Sequence, residues 1–317
     1  MDDITVGVFC ADSEAKGRFL AGVAKKSEAE GLSVFVRSEA GRKISFLDSS
    51  DFPEKLQGYA SIASIVDYAL YLYPRDKLTP PDGELAVLLG AFGLPGSLVV
   101  LDHSSDPEVA KSSLRGTAVG SYPILEHDSA SGAIDLSSVG ARETSSRGTL
   151  VFIDRAFAVK GVGTVALGFV LSGKVKVHDQ LRPIPGPEGA KLDVRSIQVS
   201  DQDFDSAGRG VRVGLSLKGM EPKELERAHW LDDSSTPLSS SPSFFFEPAP
   251  FYRQQVEGRE LHVQLPGKMI SARVAAADQG IMAELPFRAP AWPGMRASVI
   301  DLNGKALRVA GRATCKF

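Results

Sequence analysis

The chain has 317 residues, of which 43% are hydrophobic and 24% charged, with a formal net charge of −3. This composition is typical of a soluble globular protein, and the length predicts two or three domains. No apolar run approaches the roughly eighteen residues that span a bilayer, and the acidic, polar start is unlike a signal peptide. The two cysteines, Cys10 and Cys315, favour a reducing cytoplasm over a disulfide framework.

The charge is unevenly distributed along the chain. Residues 1–143 hold 13 Lys and Arg against 21 Asp and Glu, a net of −8. Residues 144–231 hold 13 against 10, a net of +3, and residues 232–317 hold 10 against 8, a net of +2. The acidic first part repels phosphates at long range, whereas the later parts are mildly basic. General coating of nucleic acid is therefore excluded and no DNA partner is expected, but a local RNA contact is permitted.

The first part of the chain, residues 1–143, alternates predicted strands and helices. The predicted strands are 4–10, 32–37, 44–48, 68–73, 98–102 and 122–126, the predicted helices are 15–30, 53–66 and 107–116, and 84–89 is a helix or a strand. Strands that alternate with helices favour a mainly parallel sheet covered on both faces. We therefore predict an α/β domain here.

Residues 151–181 follow a different pattern, in which apolar residues alternate with polar or small ones. Val, Phe, Leu and Ile dominate, as expected on a pleated, half-buried surface. Gly161 and Gly163 supply a turn that can take positive φ without strain, and Ser172-Gly173 marks a second break. Three short antiparallel strands with these turns predict a small closed β-barrel over residues 144–231.

Residues 232–317 predict a second β-barrel. Asp232 to Ser243 are rich in Ser and Pro and are interpreted as a linker, as are residues 137–147 before the first barrel. Six predicted strands with Gly and Pro between them follow, at 244–247, 261–265, 269–275, 281–285, 295–301 and 306–310. This spacing is typical of an all-β domain.

Several motifs of the middle part resemble the second domain of translational GTPases of the elongation factor Tu superfamily. They are IDRAF at 153–157, KGVGTV at 160–165, LSGKVKVHDQL at 171–181, residues 194–198, and AGRGVRVGLSLKGMEPKELERAHWL at 207–231. The greatest resemblance is to the selenocysteine-specific elongation factor. LHVQLPGKMISARV and PGMRASVIDLNGKALRVAGR resemble the third domain of the same superfamily. The resemblance implies that residues 1–143 form a P-loop-GTPase-like domain.

The phosphate-binding motif of such a domain is degenerate in this chain. The pattern G-x-x-x-x-G-K-[ST] falls on residues 10–17, where Cys10 and Ala15 replace the glycines and Gly17 replaces the Mg²⁺-binding hydroxyl. The glycines would let backbone N–H groups close on the phosphates, and the lysine would reach the terminal ones. Only Lys16 survives.

The other nucleotide motifs implied by the resemblance have also changed. Asp-x-x-Gly appears as Asp48-Ser49-Ser50-Asp51, followed by Phe52 at the position of the catalytic histidine. The guanine-reading Asn-Lys-x-Asp falls on residues 102–105, which begin with Asp102, and Ser129-Ala130 match the weakest motif. We therefore expect a dead site with no GTPase activity and no GTP or Mg²⁺ cofactor. Lys16 is expected to be a solvated helix residue, and Asp48 a turn or capping residue.

Candidate ligand-binding residues lie in the first barrel, and the resemblance implies their role. In this family the barrel receives the aminoacyl end of tRNA, and Asp154, Arg155 and Arg212 match residues around the charged amino acid. An arginine fork can hold a carboxylate, selenolate or phosphate, although a surface ion pair of little energetic weight is the alternative. Strand alternation sends Arg212 away from the barrel interior, and only one of Asp154 and Arg155 outward unless a bulge intervenes.

No metal site or catalytic residue is predicted, because the five histidines are scattered without ligand spacing. Three functional hypotheses remain open. The first is a translation-factor-like protein that binds tRNA, ribosome or another RNA without a GTP switch. The second is a protein-docking or regulatory module built on a dead GTPase domain. The third is an atypical GTPase that binds GTP and Mg²⁺ through changed residues.

Overall fold

The computed structural model describes residues 3–28, 32–39, 41–73, 78–101, 106–127, 134–142 and 148–316. It contains an α/β sheet domain followed by two β-barrels, and the predicted fold class is confirmed. Asp102 and the pair Ser129-Ala130 lie outside the described residues, as does the predicted boundary at 143–144. None of the helices in these ranges is long and apolar enough to cross a membrane.

The sheet domain has a seven-stranded sheet in the order β2-β3-β4-β1-β5-β6-β7. Its strands are β1 (Ile4–Phe9), β2 (Lys25–Glu28), β3 (Ser33–Glu39), β4 (Arg42–Asp48), β5 (Tyr68–Tyr73), β6 (Gly96–Val100) and β7 (Ile124–Leu125). Its helices are α1 (Ser13–Val23), α2 (Gln57–Ile65), α3 (Pro80–Phe92) and α4 (Pro107–Ser113), with a 3₁₀ turn at Val119–Ser121. The strands from β4 to β7 are parallel and only the β2–β3–β4 edge is antiparallel, so the mainly parallel prediction is confirmed.

The first helix is shorter than the sequence predicted. It ends at Val23, Ala24 is extended with φ −156°, and β2 then pairs antiparallel with β3. The prediction of a helix to residue 30 was wrong because Lys25 and its neighbours gain backbone hydrogen bonds at the sheet edge, where charged side chains are favoured. The ambiguous segment 84–89 lies inside helix α3, which a capping box between Thr79 and Asp82 begins.

The first barrel is a seven-stranded sheet in the order β11-β16-β8-β9-β15-β12-β13, closed by pairing of β11 with β12. Its strands are β8 (Leu150–Val159), β9 (Gly163–Ser172), β10 (Lys174–Lys176), β11 (Gln180–Ile184), β12 (Leu192–Val199), β13 (Gln202–Phe204), β14 (Ser206–Gly208), β15 (Arg212–Lys218) and β16 (Trp230–Asp232), with the short helix α5 (Pro222–Leu225). Gly161, Gly163 and Gly173 have φ values of +83°, +100° and +66°. The predicted glycine turns are therefore confirmed.

The second barrel closes through β18, β21, β20, β19, β23 and β24. Its strands are β17 (Leu238–Ser239), β18 (Ser243–Pro248), β19 (Arg259–Gln264), β20 (Met269–Ala277), β21 (Gly280–Glu284), β22 (Ala289–Pro290), β23 (Arg296–Ile300) and β24 (Val309–Cys315). The first five predicted strands are present, whereas the strand predicted at 306–310 begins only at Val309 and runs to Cys315. Strands β17 and β22 form an additional two-stranded ribbon.

One apolar core joins the sheet domain to the second barrel. It contains Leu85 and Leu88 of α3 and Val263 of the second barrel, together with Phe152 and Trp230 from the outer wall of the first barrel. The indole N–H of Trp230 donates to the Pro266 carbonyl at 2.7 Å. The first barrel has its own interior core, and the opposite face of the sheet packs against α1 and residues 134–142. Burial of apolar surface therefore holds the three parts together.

The predicted linker at residues 232–243 is not a free tether. Asp232 is fully buried and accepts hydrogen bonds from Arg182 Nε at 2.9 Å and Arg182 Nη2 at 3.0 Å, and from the Thr236 amide at 3.2 Å. Strand β17 then pairs with β22. The composition predicted a linker, and these contacts hold the segment between the two barrels.

Removal of the Asp232 carboxylate should release this connection. In Asp232→Ala the Arg182 fork loses its charged acceptor, and we expect the free energy of unfolding to fall by about 1–3 kcal/mol. Limited proteolysis should cut the variant near Ser239–Ser241 at protease concentrations that leave the parent intact. The exposed Glu188→Ala is the matched control. Equal resistance of Asp232→Ala and the parent would contradict this account.

Candidate functional site

Residues 10–17, on which the phosphate-binding pattern falls, link β1 to α1 and form the start of this helix. Asp12 is the N-cap of α1, and its Oδ1 accepts from the Ala15 amide at 2.9 Å. In a phosphate-binding loop the free amides and the positive end of the helix dipole face the ligand. Here the carboxylate of Asp12 accepts the hydrogen bond of one such amide in place of a ligand, and acts as a side-chain cap.

The surviving lysine forms a buried ion pair. Lys16 Nζ lies 2.7 Å from Asp48 Oδ1, with only 5% and 10% of the two side chains exposed. Lys16 also donates to the Ser49 carbonyl at 2.9 Å and to the Tyr59 hydroxyl at 2.9 Å. The expectation of a solvated lysine was wrong, since Lys16 is only 4% exposed. Parallel pairing of β1 with β4 places Asp48 beside the loop that follows β1.

Tyr59 of α2 completes this arrangement. Its hydroxyl donates to Asp48 Oδ1 at 3.0 Å, and the Cys10 carbonyl oxygen at 3.2 Å is an alternative acceptor. Burial, and then the nearby Asp48 carboxylate, hold the pKa of Tyr59 well above its usual value. Burial likewise raises the pKa of the Cys10 thiol to about 12. Cys10 is therefore a buried thiol and not a thiolate nucleophile.

The other residues on which the nucleotide motifs fall differ in their burial. Ala15 is buried, whereas Gly17 is exposed, and a Cβ added there would meet no atom within 4 Å. Phe52, at the position of the family's catalytic histidine, is buried with its ring centroid 5.3 Å from that of Tyr59. Sequence reasoning missed Tyr59, because its role depends on α2 packing against the loop and not on a motif.

In the first barrel, strand β8 carries a bulge at Asp154. The pairing passes from Ile153 opposite Gly168 to Arg155 opposite Leu167, so that Asp154 has no partner on β9. Ile153 and then Ala156 point into the barrel interior, and both residues between them leave it. A bulge breaks strand alternation in this way. The expectation that only one of Asp154 and Arg155 points outward therefore does not apply.

The structure brings Asp154 and Arg212 together. Arg212 Nη2 lies 3.1 Å from Asp154 Oδ2, with 10% of each side chain exposed, and its guanidinium stacks 5.0 Å from the Phe169 ring. Arg212 leaves the barrel interior, as alternation predicted, but it is covered and not open to solvent. The reason is that Phe169 belongs to the apolar core shared with the second barrel.

Two further cations lie near this pair. The guanidinium of Arg155 stacks 5.0 Å from the ring of Phe157. Lys268, in the turn after β19, is partly buried, which lowers its pKa, and Asp154 counteracts that shift. Asp154, Arg155 and Arg212 of the first barrel and Lys268 of the second are together called the charged cluster. Lys268 was missed in the sequence because the tertiary contact between the barrels places it there.

A sheet domain followed by two antiparallel barrels is the architecture of a translation factor. Residues 163–231 match the family described as elongation factor Tu domain 2. The whole chain superimposes on translation elongation factor SelB from Methanococcus maripaludis, solved with a GTP analogue, with a TM-score of 0.82 at 19% identity. That match covers all of this chain and 79% of the other.

Sequence relatives agree with the fold. An uncharacterised protein of Methanocaldococcus jannaschii is 29% identical over 82% of both chains. The selenocysteine-specific elongation factor of the same organism is 46% identical over 27% of this chain and 18% of its own length. That of Escherichia coli is 33% identical over 44% of this chain and 22% of its own length. The chain is thus related to the elongation factor Tu superfamily and resembles its selenocysteine-specific members, which confirms the resemblance seen in the sequence.

The buried pair can be tested by removing its cation. Lys16→Met leaves the Asp48 carboxylate buried and uncompensated, and we expect a loss of about 3–5 kcal/mol in the free energy of unfolding, measured with guanidinium chloride. The double variant Lys16→Met/Asp48→Asn should lose less than the sum of the single changes. Lys25→Met, at an exposed lysine, is the control. A Lys16→Met loss within about 0.5 kcal/mol would restore the solvated interpretation.

Proposed function

We propose that this chain is a translation-factor-like RNA-binding protein that works without a GTP switch, with tRNA or the ribosome as its partner. The relationship to elongation factors supports the RNA partner, and the vestigial loop supports the missing switch. The charge distribution agrees, because residues 144–231 carry a net charge of +3 while residues 1–143 carry −8. Contact with phosphates is then favoured at the first barrel and disfavoured at the sheet domain.

The observation that carries the proposal is the ion pair between Lys16 and Asp48. A phosphate-binding lysine must offer its charge to the nucleotide, but this ammonium already has a carboxylate and two neutral acceptors. Bound phosphates would also lie beside the carboxylates of Asp12 and Asp48, and like charges at such distances repel. Gly17 provides no hydroxyl for Mg²⁺. The residues present therefore do not fit Mg²⁺-GTP.

The proposed RNA contact centres on the charged cluster of the two barrels. Arg155, Arg212 and Lys268 supply cationic groups, and Asp154 holds Arg212 in a defined orientation. The family resemblance implies that the ligand is the terminal phosphate or the aminoacyl end of a tRNA.

The first test of the proposal concerns the nucleotide. Saturating Mg²⁺-GTP or Mg²⁺-GDP should leave the Tm of the protein unchanged, because a ligand that does not bind cannot stabilise by mass action. Release of phosphate from GTP should stay at the rate without protein. A rise of several degrees in Tm at micromolar GTP would establish the atypical-GTPase alternative instead.

The second test concerns the cluster. Retention of a charged-tRNA pool and of ribosomes should fall as salt rises from 50 to 200 mM, as for any contact with phosphates. Arg155→Ala should weaken retention by about 1–3 kcal/mol, the range for hydrogen bonds to charged groups. Lys191→Ala removes an exposed cation elsewhere on the same barrel and is the control.

Arg212 requires a paired design, since Arg212→Ala alone would leave Asp154 buried without its partner. The double variant Asp154→Ala/Arg212→Ala removes both charges and leaves the net charge unchanged. Loss of RNA retention in a folded double variant supports the cluster as the binding site. If this variant and Arg155→Ala both behave like the parent, the cluster is structural, and protein partners found by pull-down would favour the docking-module hypothesis.

A further inference from the structure

Helix α2 and the segment before it, residues 48–56, lie between the vestigial loop and the second barrel. On the loop side, Lys16 holds Asp48 and the Ser49 carbonyl. On the barrel side, Arg308 Nη2 donates to the Pro53 carbonyl at 3.0 Å, and Arg308 Nη1 to the Glu54 carbonyl at 3.2 Å. The segment that follows β4 is therefore bound at both ends.

Arg308 also binds α3. Its backbone amide donates to Glu84 Oε1 at 2.8 Å, its Nε lies 3.1 Å from both Glu84 oxygens, and its Nη2 pairs with Glu84 Oε2. The guanidinium lies 5.9 Å from the centroid of the Phe52 ring. One arginine of the second barrel thus joins α3 to the segment before α2. Only a planar fork can make these contacts at the same time.

Helix α2 itself is attached to the turn between β19 and β20. The Gly267 amide donates to Ser64 Oγ at 2.8 Å, and Ser61 Oγ donates to the Gly267 carbonyl. Gln264 Nε2 adds a third contact to Ser64 Oγ at 3.4 Å. These groups are buried, so that each would lose its partner if the helix moved away.

The carboxyl end of α3 is capped by two more arginines of the second barrel. Arg312 Nη2 donates to the Gly90 carbonyl at 2.7 Å, and Arg296 Nη1 donates to the Phe92 and Gly93 carbonyls at 3.1 and 2.7 Å. The last carbonyls of a helix have no partner within it and carry the negative end of its dipole. Arginines of the second barrel therefore cap the carboxyl end of α3.

We infer that these polar contacts, set around the shared apolar core, lock the sheet domain onto the second barrel in a single arrangement. This inference extends the proposed function: the protein presents one preformed RNA-binding surface at all times. A ligand can shift a conformational equilibrium only by its differential affinity for the two states. Separation here would expose the core and leave Glu84 and the α3 carbonyls without partners, so that no separated state is populated.

The test measures the distance between the sheet domain and the second barrel. Nitroxide labels at Arg18→Cys on α1 and Asp278→Cys in the turn after β20 occupy exposed positions, whereas Cys10 and Cys315 are buried and do not label. Electron–electron double resonance should give one narrow distance distribution. It should be the same without ligand, with Mg²⁺-GTP, with Mg²⁺-GDP and with charged tRNA. A second distance, or a shift on adding any ligand, overturns the inference.

Variants of Arg308 show whether the named contacts form the lock. Arg308→Lys keeps the charge but loses the fork, and should broaden the distance distribution and lower the Tm; Arg308→Ala should do so more strongly. Lys305→Ala, an exposed cation four residues from the barrel strand β24, should change neither. An unchanged distribution in folded Arg308→Lys and Arg308→Ala would overturn the assignment. Failure of RNA binding with an unchanged distance would reject the proposed function and leave the lock intact.

Discussion

Burial of α2 and α3 against the second barrel is the constraint on which the rest of the structure depends. The apolar residues of these helices have one face on the sheet and the other on the barrel, so that neither domain has a complete core without the other. Polar groups inside that interface must then be paired, because an unpaired buried group costs about 1–3 kcal/mol. On α3, Glu84 is paired with Arg308 of the second barrel. On α2, Ser61 and Ser64 form hydrogen bonds with the backbone of Gly267.

The same requirement explains the pairing of Lys16 with Asp48. Both side chains are largely buried, with 5% of Lys16 and 10% of Asp48 exposed. A buried ion pair contributes little net stability. Removal of one partner is nevertheless costly, because the other charge is then buried without compensation. Tyr59 adds the hydrogen bond that satisfies the carboxylate. Lys16, Asp48 and Tyr59 in this way form part of the scaffold of the sheet domain.

The first barrel shows how a local backbone irregularity positions charged groups. Gly168 allows the bulge of β8, since a Cβ there would lie 1.9 Å from the Phe152 carbonyl oxygen. The bulge turns Asp154 out of the barrel, where Arg212 lies two strands away. Phe169 covers the guanidinium, and the resulting low exposure strengthens the ion pair relative to one in water. Specific chemistry at this site follows from packing as much as from the identity of the charged residues.

Alternation of apolar residues and the placement of glycines determined much of this protein by themselves. They predicted the parallel sheet, both barrels and the turns at Gly161 and Gly163, because these features depend on local backbone preference and on which face of a strand is buried. The sequence did not reveal that residues 25–28 form an edge strand, or that residues 232–243 are held between the barrels. It also did not show that Lys16 and Asp48 meet, or that Lys268 lies near Asp154. Only the tertiary structure decided these contacts. They join residues that are far apart in the chain, and such contacts produce no local pattern in the sequence.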